Sequence, residues 1–163
     1  MRPRSSCLAA IGVIGALAAP AGAQLLTEKS LSAGMGLTIA QTALETCTKQ
    51  GYHVSVHVLG RNGEVLVAVR GDGAPPHTME NSQRKAYTAR TFRIPSGEFV
   101  QRVKDNPNLG AVHLTGIIAA QGALPIKAGD EVIGAVGVSG APGGEKDEAC
   151  AKTGIDKVAD QLK

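Results

Sequence analysis

The stretch His53–Arg70, HVSVHVLGRNGEVLVAVR, decides the fold class of this chain. Valines alternate with polar residues in its first half, which is the period-two pattern of a β-strand. RNG at 61–63 is a turn sequence, and EVLVAVR then returns as a second strand. The stretch therefore predicts a β-hairpin, in which the two strands are antiparallel.

The rest of the chain predicts helices around this hairpin and a second strand pair. Helices are expected over residues 27–50, 78–92, 97–103 and 145–162, strands over 122–127 and 131–139, and one further short strand near 117–121. Hairpins joined through helices indicate an α+β (α/β sandwich) fold, with an antiparallel sheet of about five strands and helices packed on it. A doubly wound parallel sheet is disfavoured, because the strands come in hairpin pairs.

The N-terminus reads as a secretory signal peptide. A short basic segment, MRPRSS, precedes an apolar run and the small-residue site Ala21-Gly22-Ala23. We expect cleavage after Ala23, a periplasmic or secreted protein, and a single domain over residues 24–163. The alternative, a membrane anchor, is disfavoured because the apolar run is shorter than the ~20 residues that span a bilayer.

Charge and composition argue against a nucleic-acid partner. The chain carries a net charge of +3, and two of its arginines belong to the predicted leader. No segment is dominated by Lys and Arg. It has two tyrosines, two phenylalanines and no tryptophan, too few for the stacking surfaces of single-strand binders.

Two cysteines, Cys47 and Cys150, follow the predicted leader. Each lies on the apolar stripe of a predicted helix, Cys47 near the end of the first and Cys150 near the start of the last. If these helices pack antiparallel, the two positions meet, and export would permit a disulfide. The alternative is two buried free thiols.

The segment GAPPHTMENSQRKAYTA, residues 73–89, carries the candidate binding residues. We expect Thr78 to cap the second helix, so that His77 faces unpaired N–H groups and stays neutral, the form that binds iron. Arg84, Lys85 and Tyr87 then offer cations and a hydroxyl to an anionic group. From spacing alone, a solvated helix face beside a loop histidine is the simpler interpretation.

Three other features have a weaker claim to function. GAVGVSGAPGGEKDEA invites a phosphate-binding interpretation, but Glu145, Asp147 and Glu148 would repel a phosphate from the helix start. His53 and His57 share one strand face and are expected to be exposed or partly buried. His113 has no partner recognisable from sequence.

Three stretches give the chain a resemblance to the GlcG/HbpS family, which includes the C-terminal domain of PduO-type proteins. They are DGAPPHTMENSQRKAYTARTF at 72–92, GALPIKAGDEVIGAVGVSG at 122–140 and APGGEKDEACAKTGID at 141–156. The resemblance implies a profilin-like or PAS-like sandwich, higher oligomers, and haem or other tetrapyrrole binding in some members. His77 matches the family's histidine in the HT segment.

We therefore expect a secreted, homo-oligomeric haem-binding protein, non-catalytic or weakly redox-active, with His77 as iron ligand and Arg84 and Lys85 near the propionates. Tyr87 completes the predicted cofactor-binding set. One alternative is a binder or cofactor-free enzyme acting on a small, glycolate-related carboxylic acid, with His77 as acid/base, Arg84 or Lys85 gripping the carboxylate and Tyr87 donating a proton. Another is an oligomeric sensory or partner protein.

Overall fold

The computed structural model describes residues 24–163, so the predicted leader 1–23 lies outside the described residues. A four-stranded antiparallel sheet lies between two layers of helices. The elements in chain order are α1 (Ala33–Lys49), β1 (Ser55–Leu59), β2 (Val65–Arg70), α2 (His77–Phe92), α3 (Ser96–Asp105), β3 (Ala123–Ala128), β4 (Glu131–Ser139) and α4 (Gly144–Asp156), with 3-10 turns at Gly110–His113 and Ala159–Gln161.

The predicted hairpin is confirmed as β1 and β2, which pair antiparallel around the turn at 60–64. The strand order is β2-β1-β4-β3, so the two hairpins meet through their inner strands β1 and β4. The sheet has four strands rather than five, because no strand forms near 117–121. There the backbone of Ile118 exchanges hydrogen bonds with the side chain of Thr88 on α2, at 3.0 and 3.2 Å, instead of pairing with a strand.

The central strand β1 is buried along its whole length because helices cover both of its faces. Val56 and Val58 join the core that α1 and α4 close. Ser55 and His57 point to the other face, where their side chains bond to Thr78 and Ser82 of α2. His57 is only 4% exposed, so the expectation that it is exposed or partly buried does not hold.

Two helix starts differ from the prediction. The first helix starts later than the predicted residue 27, because Ser32 caps α1 by accepting a hydrogen bond from the Met35 amide at 3.2 Å. Helix α2 begins at His77, so Thr78 is not its N-cap. The Thr78 hydroxyl is drawn to the sheet, where it lies 2.7 Å from Ser55 Oγ.

The predicted disulfide is present. Cys47 of α1 and Cys150 of α4 are bonded, with their Cα atoms 5.7 Å apart. The two helices run antiparallel and close together at Gly154, where a Cβ atom would lie 2.5 Å from the Ile39 carbonyl oxygen. The bridge therefore ties the two ends of the domain into one helical layer.

Across residues 24–163, none of the helices has the length and apolar character needed to cross a bilayer.

Candidate functional site

A cleft of about 740 Å³ opens between the outer face of α2 and the loop over residues 110–116. This volume falls within the range of about 300–1,000 Å³ that small-molecule sites occupy. The α2 side contributes Glu80, Gln83, Arg84 and Tyr87, and the loop contributes residues 112–116. Gly63, from the β1–β2 turn, completes the lining. Three parts of the chain that are distant in sequence thus form one concave surface.

Arg84 joins the two walls of this cleft. Its Nη2 donates to the Ile117 carbonyl at 2.8 Å, while Nη1 lies 3.3 Å from Glu80 Oε1 on the same helix face. One turn further along α2, the Thr88 hydroxyl holds Ile118. The loop is therefore fixed against α2 by side chains that come from α2 itself.

Tyr87 lies between two glycines that leave room for its ring. A Cβ atom at Gly63 would lie 2.9 Å from the ring, and one at Gly116 would lie 3.1 Å from it. Both glycines have positive φ angles, +83° and +84°, which other residues rarely adopt. The ring is fixed in place, yet Tyr87 remains 37% exposed.

His113 lies in the wall opposite Arg84 and Tyr87. It ends the 3-10 turn Gly110–His113 and is exposed. Sequence reasoning found no role for this residue, because only the docking of the loop onto α2 brings it to the site. No periodic pattern in the neighbouring sequence announces that contact.

His77 starts α2 and is exposed. It precedes Glu80 by three residues and Arg84 by seven, so it shares their helix face. It does not line the cleft but lies about one turn beyond the Glu80 end. Of the four nominated binding residues, Arg84 and Tyr87 lie together in the cleft, and His77 lies next to the end of the cleft that Glu80 marks.

Lys85 lies on a different side of α2 and, contrary to the prediction, does not line this cleft. It is 4% exposed, and its ammonium donates to Asp147 Oδ2 at 2.8 Å and to the Val138 carbonyl at 3.2 Å. Its charge is committed to α4 and β4. Arg84 is therefore the α2 cation that a ligand in the cleft would contact.

The acidic start of α4 is used inside the fold. Asp147 accepts from the Ala141 amide at 3.0 Å, and Glu148 accepts from the Gly97 amide at 3.1 Å and from the Gln121 amide group at 2.8 Å. Burial raises the pKa of the Asp147 carboxyl, against the opposing effects of Lys85 and the Ala141 amide. Asp147 and Glu148 are therefore engaged in contacts within the fold.

Within the described residues, no group of three His, Cys, Asp or Glu side chains is arranged to hold a metal ion. An iron that already sits in a tetrapyrrole needs only one or two protein ligands.

Comparison with known proteins gives consistent matches. The family described as "Haem degrading protein HbpS-like" matches residues 31–156. A double mutant of HbpS from Streptomyces reticuli superposes with a TM-score of 0.78 at 35% identity, covering 85% of this chain and 96% of that one. The GlcG protein of Escherichia coli is 30% identical over 113 residues, which are 69% of this chain and 84% of GlcG.

A structure described as a complex of PduOC with haem shares the fold, with a TM-score of 0.72 at 22% identity over 78% of this chain and 94% of that one. At this identity the likeness concerns the fold alone.

Proposed function

We propose that this chain, which belongs to the family of HbpS-like proteins, binds haem in the cleft between α2 and the 110–116 loop. The observation that carries the proposal is the meeting of a histidine, an aromatic ring and an arginine in one open cleft: His113, Tyr87 and Arg84. The description of the family as haem-degrading supplies the class of ligand.

The residues of the cleft suit the parts of a haem. Tyr87 and Leu114 are 37% and 57% exposed, and a flat apolar ligand would cover them. Besides its hydrogen bond to the Ile117 carbonyl, Arg84 has a surface ion pair with Glu80. Such pairs contribute about 0–1 kcal/mol, so a propionate can replace Glu80 as the ionic partner of Arg84. The open shape of the cleft suits a ligand held on the surface.

Two histidines are candidates for the iron ligand. His113 lines the cleft, and we propose it as the first candidate. His77, nominated from the sequence, is the second, because it shares the helix face of Glu80 and Arg84. Either imidazole can supply the axial nitrogen that haem iron takes from proteins.

We also propose that the protein acts after export and as a homo-oligomer. The leader-like residues 1–23 support export. An open cleft beside exposed Leu114 leaves room for a neighbouring copy to cover the remaining face of the ligand.

A hemin titration of the purified protein, followed at the Soret band, tests the proposal. We expect saturable binding, and a shifted or weakened Soret band in His113→Ala. His77→Ala shows whether the second histidine contributes. His53→Ala is the matched control, because His53 is exposed and bonds to the Asp72 carbonyl away from the cleft. The absence of a Soret shift in the unaltered protein would refute haem binding, and equal spectra for all three variants would refute both ligand assignments.

Binding of a small carboxylic acid is the second candidate function, favoured by the polar lining of the cleft. Arg84, His113, Gln83 and Thr115 all line the cleft. Measuring the melting temperature of the protein with glycolate, alongside the hemin titration, separates the two functions. Thermal stabilisation by glycolate without any response to hemin would favour the acid.

A further inference from the structure

A second cavity, of about 340 Å³, lies at the C-terminal end of α2 and is lined by three arginines. Its lining consists of Arg61, Arg90, Arg93, Asp130, Glu131 and Val132. We call it the arginine cavity. A shallow depression lies between the arginine cavity and the cleft. It shares Arg61 and Arg90 with the cavity, and Gly63 and Tyr87 with the cleft.

The three arginines are not equally satisfied. Arg61 pairs with Glu131 and, at 3.1 Å, with Glu28. Arg90 and Arg93 have no ion pair within residues 24–163. Two guanidinium groups of one cavity therefore lack an anionic partner there.

Arg90 is the more constrained of the two. Its Nε is buried and has no hydrogen-bond acceptor among the described residues. Burial lowers the pKa of Arg90, and the positive charges of Arg93 and Arg61 act in the same direction, against a smaller opposing effect of Glu64. An anion in the cavity would relieve this repulsion.

Arg93 has an unusual backbone. It is the C-cap of α2 with φ 59°, and in the described part of the chain it is the one non-glycine residue with positive φ. Glycine is the residue favoured at such a helix end. A purely structural role would thus be met better by glycine, whereas arginine brings a guanidinium to the cavity.

We propose that the arginine cavity binds a small dianion, a phosphate or a dicarboxylate, held by Arg90 and Arg93. Planar guanidinium groups donate paired hydrogen bonds to both kinds of anion. The volume of the cavity, about 340 Å³, selects a small anion. This site is separate from the haem proposal and does not depend on it.

Calorimetric titration of the purified protein with inorganic phosphate and with malonate, in a chloride buffer, tests this inference. We expect saturable binding of at least one of them, which also tells the two sources of negative charge apart. Arg93→Gly and Arg90→Gln should each weaken binding about tenfold or more. Arg102→Gln, an exposed arginine on α3, and His113→Ala should leave it unchanged.

The melting temperature without ligand separates a binding role from a structural one. Arg93→Gly should keep or raise it, because glycine fits the positive φ, while still losing the anion. Absence of binding of both anions by the unaltered protein, or equal affinity in Arg93→Gly and Arg102→Gln, would overturn the proposal.

Discussion

At the scale of single residues, the sheet face under α2 is held by polar contacts. His57 Nδ1 lies 2.8 Å from Ser82 Oγ, and Ser55 Oγ lies 2.7 Å from the Thr78 hydroxyl. Burial lowers the pKa of His57 below its ordinary value of 6.5. A protonated imidazole at this position would be a charge without a carboxylate partner among the described residues.

This burial predicts a pH dependence of stability. Below pH 6.5 the unfolded chain binds a proton at His57 that the folded chain resists, so the free energy of unfolding should fall as the pH is lowered through that value. Urea titrations between pH about 7.5 and about 5.5 measure this slope. His57→Gln should flatten it, and His53→Gln, at an exposed position, should not. Equal slopes in the two variants would contradict the prediction.

Lys85 and His57 are buried, although their residue types and sequence positions predict exposed side chains. A lysine on a helix with charged neighbours normally indicates a solvated position, but Asp147, 62 residues later, reaches it in the core. His57 alternates with valines, which indicates an outward face, yet α2 covers that face. Both errors arise because burial of a polar side chain depends on a partner that local sequence does not contain.

At the scale of elements, the cleft depends on how closely α2 lies on β4. A Cβ atom at Gly137 would lie 2.2 Å from the Ser82 carbonyl oxygen and 2.8 Å from the Ala86 amide nitrogen. These are backbone atoms of α2 and cannot move aside singly. Gly137 therefore sets the height of the helix that carries Glu80, Arg84 and Tyr87.

We predict that Gly137→Ala destabilises the protein by about 1–3 kcal/mol, the usual cost of overpacking, because it lifts α2 from the sheet. Urea unfolding measures the loss, and weaker hemin binding should accompany it. Gly34→Ala is the control, since Gly34 is an exposed position of α1, no atom lies within 4 Å of its added Cβ, and alanine favours the helix. The prediction is wrong if the two alanines have the same effect.

The elements themselves were predictable where the signal was local. The hairpin β1–β2 follows from alternation and a turn, and α1 and α4 follow from apolar stripes that also located the disulfide. No local pattern excluded the extra strand that was predicted near 117–121. That strand does not form because Arg84 and Thr88 of α2 take the backbone hydrogen bonds of Ile117 and Ile118. The position of that loop is a tertiary result.

At the scale of the whole molecule, the sheet separates two layers with different roles. One layer, α1 and α4, contains most of the apolar core and the disulfide. The other, α2 with the 110–116 loop, carries the cleft, and the C-terminal end of α2 meets the strand turns at the arginine cavity. The sequence pointed to Arg84 and Tyr87 but missed His113, because the site exists only where separate segments meet.

This division predicts that the disulfide supports stability without shaping the cleft. Cys47 and Cys150 are 103 residues apart, and constraining so long a loop lowers the entropy of the unfolded chain. Cys47→Ala with Cys150→Ala should therefore cost about 2–5 kcal/mol in urea unfolding. Hemin affinity at low urea should stay the same, since the bridge lies across the sheet from α2.

Reductant should lower the urea midpoint of the unaltered protein but leave the double variant unchanged. An unaltered midpoint on reduction, or a loss of hemin binding in the still folded double variant, would contradict this separation of roles.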